Sequence, residues 1–155
     1  MERIQSFCVD HDYICEGIYI SRIDGDITTY DMRTRKPNCG DYMDNVTMHS
    51  LEHMFATYIR NSDIGGSVIY FGPMGCRTGF YLLTRDTAPD VVLSEVMTAL
   101  EKIINHEGEV FGATRKECGN YLELSMDSAK AESQRYLNIL RNRENNFIYP
   151  SGEEM

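Results

Sequence analysis

The sequence predicts an α+β fold, a single layered domain in which a largely antiparallel sheet packs against helices. Two observations indicate this class. Strand-like segments come in pairs with short connections, which favours antiparallel neighbours, and segments with helical periodicity lie between and after those pairs. The 155 residues, 42% of them hydrophobic, suffice for one domain over residues 1–155 with a core of its own.

The first two predicted strands form a hairpin. Residues 17–22 and 27–33 are rich in β-branched and aromatic side chains, and they flank Asp24-Gly25, a dipeptide typical of tight hairpin turns. Proline and glycine within residues 37–41 interrupt the strand pattern and predict a loop after the second strand.

A long helix is predicted next, over residues 47–60, with Asp44, Asn45 or Thr47 as its N-cap. Polar side chains that can take part in chemistry form a row next to the apolar side of this helix. They therefore lie at the edge of its buried side. The apolar side chains that define the core side at helical spacing are Met48, Leu51, Phe55, Tyr58 and Ile59.

The remaining strands and helices are predicted from the same kinds of sequence signal. Strands are predicted at residues 67–71 and 79–84, with a tight glycine- and proline-containing connection between them. Helices are predicted over residues 89–105, where a proline suits the first turn, and over residues 125–143. The polar tail after Phe147 is expected to be loose.

Composition narrows the function classes. A formal net charge of −9 disfavours nucleic acid or an anionic membrane surface as a partner. No apolar run approaches the length of a membrane-spanning helix, and the first residues lack the pattern of a signal peptide. The odd number of scattered cysteines indicates reduced thiols in the cytoplasm rather than a disulfide framework: Cys8, Cys15, Cys39, Cys76 and Cys118.

The predicted helix 47–60 carries a candidate pair of metal ligands. His49 and His53 lie four residues apart and Glu52 lies three residues from His49, so the three side chains share one side of the helix. Two imidazoles at this spacing can bind one metal ion, and a neighbouring carboxylate can move protons. A third protein ligand must come from elsewhere: a cysteine, a carboxylate, or one of the other histidines, His11 and His106.

Two cysteines have settings that suit chemistry. Cys118 follows Arg115 and Lys116, cations that favour a thiolate, and precedes a glycine that permits close approach of the backbone. A set of two histidines and this cysteine would leave a fourth position open, as in catalytic metal sites. Cys76 lies between a glycine and Arg77 at a sharp turn, where a thiol can be exposed and made acidic by the neighbouring guanidinium.

Several motifs occur together in a fixed order. Their order and spacing resemble those of S-ribosylhomocysteine lyase, the LuxS family, and the resemblance extends from about residue 4 to residue 122. The motifs are Ser6-Phe7-x-x-Asp10-His11, Tyr30-Asp31-Met32-Arg33 with Pro37-Asn38, His49-Ser50-Leu51-Glu52-His53, Pro73-Met74-Gly75-Cys76-Arg77-Thr78-Gly79-Phe80-Tyr81 and Glu117-Cys118-Gly119-Asn120-Tyr121-Leu122.

The resemblance implies a metal set of His49, His53 and Cys118, with water in the fourth place. The family characteristically uses iron(II), one ion per subunit, and also works with cobalt or zinc. Imidazole and thiolate suit such late divalent metals better than magnesium or calcium.

The resemblance also assigns roles to other residues. Glu52 and Cys76 match the two acid/base groups, and Ser6, His11 and Arg33 match positions that bind or orient the substrate. The implied reaction is cleavage of S-ribosylhomocysteine to homocysteine and 4,5-dihydroxy-2,3-pentanedione, the precursor of autoinducer-2. Family members are homodimers with active sites at the subunit interface, and the same is expected here.

The chain departs from the family pattern at two places. Many members have Ile-Asp-Ile-Ser before the Pro-Met-Gly-Cys run, where this chain has Tyr70 in the aspartate position. Members often have His-Asp after the metal cysteine, where this chain has Leu124 and Ser125 following Glu123. Neither change removes an expected ligand or proton carrier, so activity is expected to survive.

Two other functions remain open on the residues alone. His-x-x-Glu-His is also the signature of inverted zinc peptidases, for which Glu117 or Glu123 could be the third ligand. That hypothesis leaves Cys76 and Cys118 without a role. A non-catalytic module stabilised by a closed metal site is the second alternative.

Overall fold

A computed structural model describes residues 1–152 of the chain. Its sheet has four strands in the order β1-β2-β4-β3, and every neighbouring pair is antiparallel, so the predicted α+β fold is confirmed. The strands are β1 (Gly17–Asp24), β2 (Ile27–Arg33), β3 (Val68–Pro73) and β4 (Gly79–Arg85).

The helices of the structure comprise one short turn and three long elements. Among residues 1–152, no helix is both long enough and apolar enough to cross a membrane. The helices are α1 (Gln5–Cys8), α2 (Asn45–Arg60), α3 (Pro89–Ile104) and α4 (Met126–Arg141).

The predicted hairpin between β1 and β2 forms, with its turn one residue later than the dipeptide signal. Asp24 pairs with Ile27, so the two turn residues are Gly25 and Asp26. Gly25 has φ of +62°, a left-handed conformation that costs a glycine little because it has no Cβ. Glycine thus lets the chain reverse tightly here.

The core lies between one face of the sheet and the long helices. Tyr30 and Met32 of β2 belong to it together with side chains from all three long helices. Because successive residues of a strand point to opposite faces, Asp31 and Arg33 project from the other face of the sheet. The alternation in β2 therefore separates packing residues from polar residues that are available for a site.

Helix α2 carries the two histidines of interest, and its start is defined by a side-chain cap. Of the three candidate caps, Asp44 is the one used: its carboxylate accepts a hydrogen bond of 2.8 Å from the backbone N–H of Thr47. This bond satisfies one of the amide groups that a helix start leaves without a partner.

Replacing Asp44 with alanine is expected to lower the free energy of unfolding by about 1 kcal/mol at neutral pH, the usual cost of a lost N-cap. The hydrogen bond from Thr47 lowers the pKa of Asp44 below its ordinary value of 3.8. The cap is therefore at full strength above that pH, and its contribution disappears as the pH falls through the lower folded-state pKa. Urea unfolding between pH 7 and about pH 2.5 measures both effects.

The control for this prediction is Glu107→Ala, which removes an exposed carboxylate outside the helices. It should leave the free energy of unfolding within about 0.5 kcal/mol of the unchanged protein. A loss in Asp44→Ala that persists undiminished in acid would contradict the capping role.

The tail expected to be loose is tied to the sheet as far as Tyr149. The carbonyl of Phe147 accepts a hydrogen bond of 2.9 Å from the N–H of Ile20. Tyr149 stacks on Tyr19 at 4.8 Å and donates a 2.7 Å hydrogen bond to Asp31. Aromatic side chains within this polar segment anchor it to the sheet, and the average polarity of the segment does not reveal them. The end of the expected tail, residues 153–155, lies outside the described residues.

Candidate active site

Helix α2 and the loop before α4 bring three metal-binding side chains together. The rings of His49 and His53 have centroids 4.6 Å apart, and the Sγ of Cys118 lies 3.3 Å from Nε2 of His49. One donor atom of each of these three residues lies within 4.8 Å of the others. Among the third ligands left open by the sequence, Cys118 is the residue that the fold places beside the histidines.

The other candidates for the third ligand are engaged elsewhere. His106 makes a 2.7 Å hydrogen bond with the hydroxyl of Tyr58, and His11 lines a cavity with Cys76. The side chain of Glu117 accepts a hydrogen bond from Thr114. Neither Glu117 nor Glu123 belongs to the donor group that the described residues form, so the third ligand of an inverted zinc peptidase is not in place.

Backbone carbonyls orient both histidine rings. The Nδ1 of His49 lies 3.0 Å from the carbonyl oxygen of Glu123, and the Nδ1 of His53 lies 2.7 Å from that of Phe111. A carbonyl only accepts, so each Nδ1 carries a hydrogen, and in the neutral ring Nε2 then has the lone pair that a metal ligand needs. The departure from the family pattern near Glu123 leaves this contact intact because the carbonyl belongs to the main chain.

The loop that presents the Phe111 carbonyl needs glycine next to it. Gly112 has φ of +70°, and a Cβ built on it would lie 3.2 Å from Nδ1 of His53. The ring of Phe111 packs edge-on against Tyr58 and His106, with centroids 5.2 and 4.8 Å away. An aromatic cluster on one side and a glycine on the other thus hold the carbonyl against the imidazole.

The donor set fits a late divalent metal ion. Two neutral imidazole nitrogens and a cysteine sulfur match the ligands of zinc, cobalt and iron(II). The backbone N–H of Asn120 donates to the Sγ of Cys118 at 3.4 Å, a contact that helps to orient the sulfur. A site with three protein donors leaves a coordination position for water or substrate.

Glu52 lies beside this group. It is half-buried and lines a cavity of about 450 Å³ together with His53 and with Phe111, Gly112 and Glu117 of the loops that follow α3. The carboxylate therefore faces a space that a small molecule bound near the metal donors can enter.

Cys76 lies at the turn between β3 and β4, as predicted, and its side chain is exposed. Its Sγ is 3.0 Å from the hydroxyl of Thr78 and faces a cavity of about 150 Å³ that His11 and Tyr42 also line. The guanidinium of Arg77 lies over the ring of Tyr42 at 5.6 Å from its centroid. The cation expected to act on Cys76 from the neighbouring position is thus directed to an aromatic ring.

Arg33 reaches the region around Cys76 from strand β2. It is 3% exposed, donates two hydrogen bonds to Asp31 at 3.1 and 2.6 Å, and donates a third of 2.9 Å to the hydroxyl of Thr78. Burial opposes the charge of Arg33, but the carboxylate of Asp31 outweighs it and raises the pKa of the guanidinium. Arg33 therefore stays charged and contacts Cys76 through Thr78.

Ser6 occupies a different place from the other predicted substrate residues. It lines a cavity of about 410 Å³ with Tyr70 and Tyr81. The structure thus groups His11 and Arg33 around Cys76, and groups Ser6 with Tyr70, the residue at which the chain departs from the family pattern.

Sequence reasoning missed four contributors to these sites. Asp31 and Thr78 stood inside the motifs, and their polarity within predicted strands or turns was the available signal. The carbonyls of Phe111 and Glu123 left no signal at all, because every residue carries a backbone carbonyl and only folding selects which one meets a histidine.

The antiparallel sheet covered by helices and the group of two histidines and one cysteine define the class: an α+β protein with a potential metal site. The chain belongs to the S-ribosylhomocysteinase (LuxS) family, whose model matches residues 4–147.

Relatives named S-ribosylhomocysteine lyase match the chain over almost its whole length. The protein from Finegoldia magna is 42% identical, covering 97% of this chain and 99% of its own. Those from Clostridium beijerinckii and Borreliella afzelii are 40% and 42% identical, each covering 97% of this chain and 100% of their own. The family expected from the motifs is confirmed.

Proposed function

We propose that the chain is a metal-dependent carbon–sulfur lyase that cleaves S-ribosylhomocysteine to homocysteine and 4,5-dihydroxy-2,3-pentanedione. The observation that carries the proposal is the open donor group of His49, His53 and Cys118 beside Glu52, in a chain of the S-ribosylhomocysteinase family. The exposed thiol of Cys76 supplies the second proton carrier that this reaction needs.

The proposed reaction consists of proton transfers followed by loss of the thioether. In the open-chain sugar, the carbonyl moves from the first carbon to the second and then to the third. Each move takes a proton from one carbon and returns one to its neighbour, through an enediolate. With the carbonyl on the third carbon, removal of a proton from the fourth lets the sulfur leave from the fifth. Glu52 and Cys76 are the groups proposed to take and return these protons.

The proposed cofactor is iron(II), one per subunit, held by His49, His53 and Cys118. When bound, the metal supplies a Lewis acid that stabilises negative charge on the sugar oxygens. The neutral histidines and the cysteine thiolate accommodate such an ion, with cobalt or zinc as substitutes.

The proposed assembly is a homodimer with its active sites at the interface. Glu52 and Cys76 line separate cavities of one chain that share no lining residue, so a second copy offers a way to bring the two proton carriers to one substrate. Large apolar side chains also lie exposed near α1 and on β3, at Ile4, Phe7 and Tyr70. Apolar exposure of this kind often marks an interface.

The cysteines support a reducing compartment, and we place the protein in the cytoplasm. All five thiols are free. There the product would serve as the precursor of autoinducer-2, with homocysteine returned to the methyl cycle.

The experiment that tests this function is anaerobic incubation of the iron-loaded protein with S-ribosylhomocysteine, with release of free thiol as the readout. Turnover that depends on the metal supports the proposal. Absence of thiol release from the fully iron-loaded protein would contradict it.

Replacing Glu52 with glutamine is expected to keep the metal and to lower kcat by about two orders of magnitude or more, as for a lost general acid/base. The amide has nearly the same shape as the carboxylate but does not accept a proton from carbon. Glu107→Gln, which changes an exposed glutamate outside the helices, is the control and should match the unchanged protein. Near-normal kcat in Glu52→Gln would remove this residue from the mechanism.

A further inference from the structure

A continuous series of hydrogen bonds ends on the sulfur of Cys76. Tyr149 donates to Asp31 at 2.7 Å, and Asp31 accepts two bonds from Arg33. Arg33 donates to the Oγ1 of Thr78 at 2.9 Å, and that oxygen lies 3.0 Å from the Sγ of Cys76. The three inner members are almost fully buried, with exposures of 1% for Asp31, 3% for Arg33 and 2% for Thr78.

The chemistry of these groups sets the direction of each bond. The carboxylate of Asp31 accepts from Tyr149 and Arg33, and a guanidinium only donates, so the oxygen of Thr78 must accept from Arg33. The hydroxyl hydrogen of Thr78 is then free to point to Cys76. A hydrogen bond from a hydroxyl to a thiolate is charge-assisted and therefore stronger than one to a neutral thiol.

We propose that Thr78 is a positioning residue for Cys76: its hydroxyl, held by Arg33, donates to the Cys76 sulfur and stabilises the thiolate that carries protons. The inference rests on the proposed function only in what the thiolate is used for. The bond itself follows from the geometry of Arg33, Thr78 and Cys76. Thr78 adds a donor to the acid/base pair without exchanging protons with the substrate.

Other ionisable groups also surround Cys76, and the proposal must hold in their presence. His11 of the N-terminal segment and Tyr42 of the loop before α2 line the same cavity, while Arg33 of β2 and Tyr81 of β4 lie close enough to interact electrostatically with Cys76. None of these side chains is itself replaced by a change at Thr78 that keeps its shape. A substitution there removes the hydroxyl, and with it both the hydrogen directed to Cys76 and the oxygen that accepts from Arg33.

The chain supplies a matched control in Thr84 of β4. Both threonines are buried, with exposures of 2% for Thr78 and 1% for Thr84, but the hydroxyl of Thr84 has no hydrogen-bond partner among the described residues. Thr78→Val and Thr84→Val thus make the same chemical change in equally buried positions. Only the first removes a donor to Cys76.

The test measures alkylation of Cys76 by iodoacetamide as a function of pH, followed by mass spectrometry of the peptide that contains this residue, together with kcat and KM for thiol release. In Thr78→Val, the pH of half-maximal alkylation should rise by about one unit and kcat should fall about tenfold or more, the loss expected for one hydrogen bond to a charged group. KM should change much less. Thr78→Ser should restore both values, and Thr84→Val should leave both unchanged.

The outcomes separate this proposal from the proposed function. An unchanged alkylation profile and kcat in folded Thr78→Val would overturn the positioning role. A shifted profile in a protein that releases no thiol from the substrate would support the role of Thr78 and refute the lyase. If circular dichroism shows that the valine variant is unfolded, Thr78→Ala, which also lacks the hydroxyl, gives the same two readings.

Discussion

Cys76→Ala is expected to lower kcat for thiol release by about two to four orders of magnitude, the range for a lost general acid/base group, while the metal content stays at one ion per chain. Alanine removes the sulfur and leaves the turn backbone unchanged. Because the side chain is exposed, the fold should not depend on it. Thiol release and elemental analysis of the same preparation measure the two effects.

The matched control is Cys39→Ala, since Cys39 is another exposed free cysteine. It should retain the kcat of the unchanged protein. This pair of variants also separates the competing functions. A zinc peptidase would keep its activity without Cys76, and a non-catalytic metal module would be unaffected. Full thiol release by Cys76→Ala would exclude the proposed mechanism, because Glu52 alone would then have to move every proton.

Cys118→Ala, in contrast, should lose the metal as its primary effect. Substitutions next to metal ligands typically weaken metal binding by about tenfold to a hundredfold, so removal of a ligand itself should cost at least that much. The protein should then purify with far less than one metal ion per chain. Titration of the metal-free variant with cobalt(II), followed by absorption spectroscopy, gives the affinity.

The variant at Cys76 serves as the control for the variant at Cys118. One should keep the metal and lose turnover, whereas the other should lose both. Elemental analysis that finds full occupancy in Cys118→Ala would show that the sulfur, although 3.3 Å from Nε2 of His49, is not a ligand. In that case Glu117 or Glu123 would return as candidates for the third ligand.

Much of the fold could be predicted from the sequence because its signals are local. The β1–β2 hairpin and helix α2 lie within about two residues of their predicted bounds, since turn residues and apolar periodicity act over a few positions. The exceptions have physical causes. The turn came one residue late, at Gly25, because glycine takes the left-handed position. The tail is held by Tyr149, whose stacking partner lies far away in the sequence.

The candidate site likewise has features that local sequence signals predict and features that depend on the folded structure. The family, the pairing of His49 with His53 and the placement of Cys76 on a turn could all be predicted from the sequence, since helical spacing and turn chemistry are encoded over short distances. The resemblance implied that Cys118 completes the metal set, but only folding brings its sulfur to 3.3 Å from Nε2 of His49 across 69 positions. The tertiary structure also decided that Thr78 connects Arg33 to Cys76. Such contacts depend on how strands, helices and loops pack against one another, and no local pattern records that packing.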